Sequence, residues 1–572
     1  MIDTSKLLKN YDNMPLVRYG AGSLAKLNYV PYDELSKSDT QGVLKACHYV
    51  DGKLMQAYSE HENHVGVIAA TRLGKTTSYV IPTILSFAEK KQKRSMIISD
   101  PKGEVYRQTV TKLEQSGYEV KLINFRDYLH SECWNVLTPI YRKYQQAFSV
   151  YDEVELVEVD GVPKNKFRGI VYDNQAMLDA QIQQIFQMSI DEVGNDIDNL
   201  ATMIISVEKQ NDPYWEYSAR DVFKAYLWAM LEDSRPELLK EREDGDFEKT
   251  LITEETFSFN TIFTILNQFK DGSSTTYDDG DYFSGRPETS IAFQLAKNTF
   301  LENANGTRKC IMAIFFTKLS CFRDSAMRII TSCNSFDMKS IVNTDKPVAI
   351  FINYRDELKT HYRLISLFVQ DAYRVLIEKA NNLPFGKLTA PFYFILDEFG
   401  NFPKIPDFET TISACAGRNI FFILIIQSYA QLESVYESAV AEIIKDNLNV
   451  HVFFGSNNPR TLEAFSKECG NLTRISPTSA LNGNTSEIDH YQTETIPLLP
   501  VSVLSHLTPG ECVITEVNSG YVFWSRLERC FTCQEFSKIE LKDEKTYQCS
   551  LNPFDRKYFY NFARIKKSSS FF

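Results

Sequence analysis

A chain of 572 residues exceeds the size at which one hydrophobic core stops growing, so two or three domains are expected. Hydrophobic content of 43% with 24% charged residues excludes a disordered or fibrous chain. A formal net charge of -12 excludes a protein coated in basic surface and confines any nucleic-acid contact to a limited lining.

The first residues, MIDTSKLLKNYDN, carry charges where a signal peptide has its apolar core. The longest apolar run, Ile420 to Ile426, has the length of a buried strand and not of a membrane span. A cytoplasmic chain is expected, and its 11 cysteines, scattered from Cys47 to Cys549, fit a reducing compartment. The N-terminal 60 residues show no periodicity that assigns them.

From Val65 onward short apolar runs alternate with amphipathic stretches: VGVIA, SMIISD and YEVKLINF, then PVAIFINY, FYFILDE, NIFFILIIQS and VHVFFGS. Runs apolar on both faces predict buried parallel strands covered by helices on both sides, the α/β class. Ile365, Phe368, Ala372, Val375 and Leu376 mark one covering helix between Tyr362 and Lys379. Residues 169–345 break the rhythm with helical patterns such as ARDVFKAYLWAML and read as an inserted helical domain. Inside it, KDGSSTTYDDGDYFSG (270–285) reads as a polar loop, and Asn471 to Thr495 as a second polar interruption. ECVITEVNSGYVFWSRL predicts a hairpin turning at Asn518, Ser519 and Gly520. Cys530 and Cys533 form a CxxC that is either half of a zinc site or two neighbouring strand cysteines.

The sharpest chemical signal is VGVIAATRLGKTTS. Its strand, loop and helix resemble a Walker A element with Ala69 in place of the first glycine. In such a loop the backbone N–H groups of Ala69, Ala70, Thr71, Arg72, Leu73, Gly74, Lys75, Thr76 and Thr77 wrap phosphates at a helix N-terminus. Lys75 reaches the β- and γ-phosphates, and the Thr76 hydroxyl holds Mg2+. FYFILDEFG supplies the matching acids: Asp397 for Mg2+, and Glu398 to take the proton of the attacking water. Adjacent acids favour hydrolysis of ATP coupled to work. Gln427 ends the next apolar run and is either a γ-phosphate sensor or an ordinary strand-end glutamine. Asp100, ending the SMIISD run, is a further candidate for ordering magnesium.

These residues, with SDPKGEVY (99–106), WNVL (134–137), DPYWEYSAR, LDEFGNFPKIP, AGRN, IIQSYAQLESVY and FFGSNNPRT, resemble the type IV coupling proteins of conjugation and type IV secretion, relatives of FtsK-like DNA translocases. The resemblance spans about Val65 to Glu516. It implies a RecA-like P-loop nucleotide-binding domain interrupted by an all-helical domain. The divisions expected are a 1–64 region without a transmembrane anchor, 65–168 and 346–572 as the two parts of the nucleotide-binding domain with a C-terminal extension, and 169–345 as the insertion. It implies a homo-hexamer with ATP between subunits, and Arg418, in AGRN, matches the family's arginine finger; an exposed arginine without that role is the alternative. Trp215 falls in the domain the family associates with substrate DNA and relaxase, though burial in helix packing is the expected role.

The partners implied are DNA, the relaxase or relaxosome, a type IV secretion channel and a separate membrane subunit, with the chain peripheral at the inner face of the plasma membrane. A DNA-translocating motor is the leading expectation. A coupling ATPase for protein effectors and a nucleotide-regulated adaptor are the competing ones.

Overall fold

The structure, a computed structural model, describes residues 27–558 apart from 160–161, 208–211, 240–250, 269–281, 284, 303–304, 344–345, 356, 358–360, 479–489 and 518–519. Most of the 270–285 loop and the tip of the 511–526 hairpin therefore lie outside the described residues.

The strands in the first half are β1 (Tyr29–Pro31), β2 (Leu44–Val50), β3 (Lys53–Tyr58), β4 (Val65–Ala69), β5 (Ser95–Asp100), β6 (Glu119–Asn124), β7 (Val154–Val159), β8 (Val162–Phe167) and β9 (Ile170–Tyr172). Those in the second half are β10 (Val348–Asn353), β11 (Phe392–Leu396), β12 (Ile420–Ile426), β13 (Val450–Gly455), β14 (Asn471–Thr478), β15 (His490–Pro497), β16 (Glu511–Glu516) and β17 (Tyr521–Arg526). Nine of them make one sheet in the order β17-β16-β13-β4-β12-β11-β5-β10-β6.

From β13 to β10 neighbouring strands of that sheet run parallel. The β16–β17 hairpin extends it antiparallel at one edge. Every residue of β4, β10, β11, β12 and β13 is buried, as strands covered on both faces must be. The parallel run brings the carboxyl ends of β4, β11 and β12 to one rim, where ligands of open α/β sheets bind. Helices α1 (Ile81–Glu89) and α2 (Glu104–Gln115) follow β4 and β5. The helix expected from Tyr362 runs to Asn381.

The chain divides into two compact units. The first comprises residues 1–122, 341–357 and 373–546. In it the N-terminal stretch, unassigned from sequence, forms the antiparallel sheet β1-β3-β2. Asp51 and Gly52, both at positive φ (50° and 76°), make its hairpin turn, the backbone an Asp-Gly pair adopts readily. Residues 471–497, read as a polar interruption, hold the paired strands β14 and β15 instead; cross-strand backbone pairing does not require an apolar sequence.

The second unit comprises residues 123–340, 358–372 and 547–572. It is built on helices, among them α3 (Gln175–Ile204), α4 (Tyr214–Glu232) and α5 (Asn305–Lys318), with a small antiparallel sheet β7-β8-β9. It is wider than 169–345 because distant segments share its core. Trp134, buried, stands edge-on to Phe368 and donates from Nε1 to Asp371 Oδ2 at 3.0 Å. Trp215, expected in the core, is only half-buried in the first turn of α4 beside Tyr214; Trp134 has the packing role instead.

Candidate functional site

The loop between β4 and α1 has the backbone of a phosphate cradle. Ala69 closes β4 in extended conformation, where no glycine is required. Ala70 N–H then donates to Gly455 O at 2.9 Å, tying the loop to β13. Arg72 (φ 71°) and Gly74 (φ 88°) lie in the left-handed region, which costs glycine little and arginine more. Lys75 leads into a π-helical turn, Thr76–Val80, continuous with α1, so free N–H groups gather at the loop's end. Thr77 Oγ1 donates within the loop to Gly74 O at 3.2 Å.

The strand ends bring their polar groups onto this cradle. Thr76 Oγ1 donates to Asp397 Oδ2 at 2.8 Å, and Asp397 Oδ1 accepts the Glu398 N–H at 2.9 Å. Ser99, in β5, donates to the Asp397 carbonyl at 3.0 Å. Burial pushes the Asp397 carboxyl above its usual range, with Lys75 and the Thr76 bond opposing the shift and Glu398 adding to it. Glu398 is held at φ 54°, outside strand geometry. Its Oε1 lies 2.5 Å from Lys75 Nζ, both side chains nearly nine-tenths buried. Its Oε2 accepts from Gln427 Nε2 at 3.0 Å, and Thr71 Oγ1 donates to Gln427 Oε1 at 3.2 Å. Lys75, Glu398, Gln427 and Thr71 thus form a chain of contacts linking both ends of the loop.

These residues fit a nucleoside triphosphate with magnesium. Apart from the ion pair, the buried Lys75 ammonium has no hydrogen-bond partner among the described residues, a donor set waiting for oxygen acceptors. Thr76 and Asp397 present hard oxygen ligands to one point, as a magnesium site requires.

Two expected residues stand apart. Asp100 is fully buried, and its Oδ2 accepts the Tyr106 N–H at 2.8 Å in the first turn of α2. Burial pushes its carboxyl up to about 7, opposed by the N–H bonds and helped by Asp397. Its visible work is to cap a helix. Arg418 precedes β12, whereas Gln427 follows it, so about 23 Å of strand separates them at 3.3 Å per residue. Its guanidinium donates to Ala414 O at 2.8 Å and Asn381 Oδ1 at 3.1 Å; the chain does not bring it to its own cradle.

Cys530 and Cys533 are not strand residues, since Cys530–Thr532 forms a 3-10 turn beyond β17. Cys530 Sγ donates to Gln108 Oε1 at 3.2 Å, and Cys533 packs against Cys47. Among the described residues no group of three or more His, Cys, Asp or Glu side chains is arranged to hold a metal ion. The same turn carries Arg529, a residue no motif singled out. Its Nε is 3.4 Å from where a Cβ on Gly74 would stand.

The chain matches the family model described as Type IV secretory system Conjugative DNA transfer over residues 21–514. It is 24% identical over 480 residues to the conjugal transfer protein TraG of Escherichia coli, covering 81% of this chain and 63% of TraG. It is 23% identical over 282 residues to the coupling protein TraD of Escherichia coli K12, 48% of this chain and 34% of TraD. The chain thus spans about 63% of the length of the TraG relatives it matches. Among solved structures, the conjugative coupling protein TrwB lacking its first 70 residues aligns with TM-score 0.55 at 14% identity, over 95% of this chain and 97% of that one. TrwB with the GTP analogue GDPNP aligns with TM-score 0.54 at 14% identity, over 94% and 100%; TrwB with ADP and Mg2+ aligns likewise at 0.54, over 90% and 96%. At this identity the likeness shows the fold, a RecA-like P-loop domain with a helical domain. No helix among the described residues is long and apolar enough to cross a membrane.

Proposed function

Since this chain belongs to the type IV secretory system conjugative DNA transfer family, we propose that it is a coupling ATPase that hydrolyses ATP and drives DNA toward a secretion channel. The observation that carries the reading is the convergence of Lys75, Thr76, Asp397, Glu398 and Gln427 at the carboxyl rim of one sheet. Lys75 and the loop N–H groups bind the phosphates, and Thr76 with Asp397 holds magnesium. When bound, that ion neutralises charge on the β- and γ-phosphates. Glu398, released from Lys75, takes the proton of the attacking water while Gln427 holds its carboxylate in place.

Further parts of the proposal rest on the family. The chain works as a homo-hexamer whose Arg418 reaches a neighbour's nucleotide. It receives DNA with its relaxase, and it sits at the inner face of the membrane against a channel and a membrane subunit. Its contact with DNA is to backbone phosphate and therefore salt-sensitive.

The test is ATP hydrolysis by the purified protein and its Lys75→Ala variant, with and without single- and double-stranded DNA, at low and moderate salt. The DNA-motor reading expects Lys75-dependent turnover that DNA accelerates and salt weakens. Lys75-dependent turnover indifferent to DNA would transfer the reading to protein substrates.

A further inference from the structure

Three segments distant in sequence meet inside the helical unit. Residues 132–135 run beside 330–335: Trp134 N–H donates to Ile330 O at 2.7 Å, Ser335 N–H to Cys133 O at 3.0 Å, and Cys133 N–H to Ser335 Oγ at 2.8 Å. Residues 547–550 join them, because Ser550 Oγ donates to Ser335 O at 3.3 Å and Tyr547 Oη to Glu132 Oε1 at 2.5 Å. All three segments belong to the second compact unit.

Each segment contributes one cysteine. Cys133 is in the middle, its thiol hydrogen-bonded to both Cys333 and Cys549. Cys133 and Cys333 are buried together with Tyr558, whereas Cys549 is only part-buried and so open to a small reagent. Cys549 Sγ also donates to Glu132 Oε2 at 3.4 Å. The Cys133 thiol beside it brings the Cys549 thiol down to about 7, against burial and the Glu132 carboxylate and with help from the Leu551 N–H. The bonds to Cys333 and Cys549, with burial, push Cys133 the other way, so it stays a thiol.

Other cysteines of the chain show one of these features without the other. Cys47 and Cys533 touch but are both buried, and Cys310 is exposed on a helix. Cys549 combines access from solvent with a second thiol directly behind it. From that arrangement an oxidised cysteine passes on to a reversible disulfide before it can reach the irreversible sulfinic acid.

We propose that Cys549 is a site of reversible oxidation by hydrogen peroxide, and that Cys133 resolves the product into a Cys133–Cys549 disulfide. The Cys549 thiolate attacks one peroxide oxygen; the O–O bond breaks, hydroxide leaves, and Cys549 becomes a sulfenic acid. The Cys133 sulfur then attacks the Cys549 sulfur, the S–O bond breaks, and the hydroxyl leaves as water with the Cys133 proton. Hydroxide takes up the proton that Cys549 gave up, so two thiols lose two electrons and one peroxide becomes two waters. Thiols of a reducing compartment reverse the bond by exchange. The inference stands on this cluster alone and is independent of the nucleotide site.

The experiment treats the full chain with hydrogen peroxide, quenches it, alkylates the remaining thiols in denaturant and maps the unreduced digest by mass spectrometry. The expected result is a Cys133–Cys549 linked peptide that dithiothreitol removes, with Cys47 and Cys533 still alkylated. Cys549→Ser should leave Cys133 alkylated, and Cys133→Ser should raise dimedone trapping of the Cys549 sulfenic acid severalfold, since nothing then consumes it. The wild-type map depends on neither variant folding. Cys549 still alkylated when the exposed Cys310 is already oxidised overturns the proposal, and so does a bond from Cys133 to Cys333 in place of Cys549.

Discussion

Lys75 and Glu398, to which the proposed hydrolysis assigns phosphate binding and the general base, pair with each other at 2.5 Å. Glu398→Gln therefore has two separable effects. Turnover should fall about 10²–10⁴-fold with loss of the general base. ATP binding should hold or tighten, because Lys75 no longer has to leave a carboxylate; calorimetry beside single-turnover hydrolysis reads the two apart. His64, just before β4, makes a second residue-level prediction. Its Nδ1 accepts the Phe422 N–H at 2.9 Å and its Nε2 donates to Ile412 O at 3.0 Å, so the buried ring must be neutral. Burial pushes its pKa down to about 4 from 6.5, against the pull of the Ile412 carbonyl. The native state then resists a proton that the unfolded chain accepts. Stability is full above pH 6.5 and falls as pH drops toward 4, by about 3 kcal/mol for this ring at 1.36 kcal/mol per unit. Denaturant unfolding across that window checks it, and His64→Gln should flatten the part of the slope due to this ring. Lys75, Thr76, Asp397, Glu398 and Gln427 were all legible because each ends a strand or opens a helix in a recognisable pattern. Arg529 was not, since what gives it meaning is proximity to Gly74 from far along the chain.

Among the elements, β13 supports the phosphate loop without contributing to the chemistry. Its last residue, Gly455, holds Ala70 through its carbonyl and sits at φ 132°, and a Cβ there would meet Leu73 Cδ1 at 3.1 Å. Gly455→Ala should cost about 1–3 kcal/mol in backbone strain and weaken nucleotide binding by displacing Leu73. Thermal unfolding with and without ADP separates the two losses. The buried strands were readable from apolar runs, and the 511–526 hairpin from its turn residues. The β2–β3 hairpin carried the signal of Asp51-Gly52 but flanking strands too mixed in polarity to support it. The partners of β14 and β15 left no comparable mark, because backbone pairing between polar strands has no hydrophobic period to read.

For the molecule as a whole, Arg418 tests whether a site is shared between copies. Its distance along β12 from Gln427 rules out service to its own cradle, so a finger role requires a neighbour. Lys75→Ala and Arg418→Ala proteins, each inactive alone, should regain ATP hydrolysis on mixing if one copy supplies the loop and another the guanidinium. A mixture that stays inactive, or an Arg418→Ala protein with normal turnover, assigns Arg418 to its bonds with Ala414 and Asn381. The strand order carries a different consequence, one of time. Strand β4 emerges from the ribosome early, yet its two neighbours are β12 and β13, completed only at Ile426 and Gly455. At about 5–20 residues per second, the nascent phosphate-loop strand waits roughly 20 to 80 seconds with its edges unpaired. Such a strand is an aggregation hazard, so the yield of folded protein depends on synthesis speed and on whatever shelters that apolar segment until its neighbours arrive.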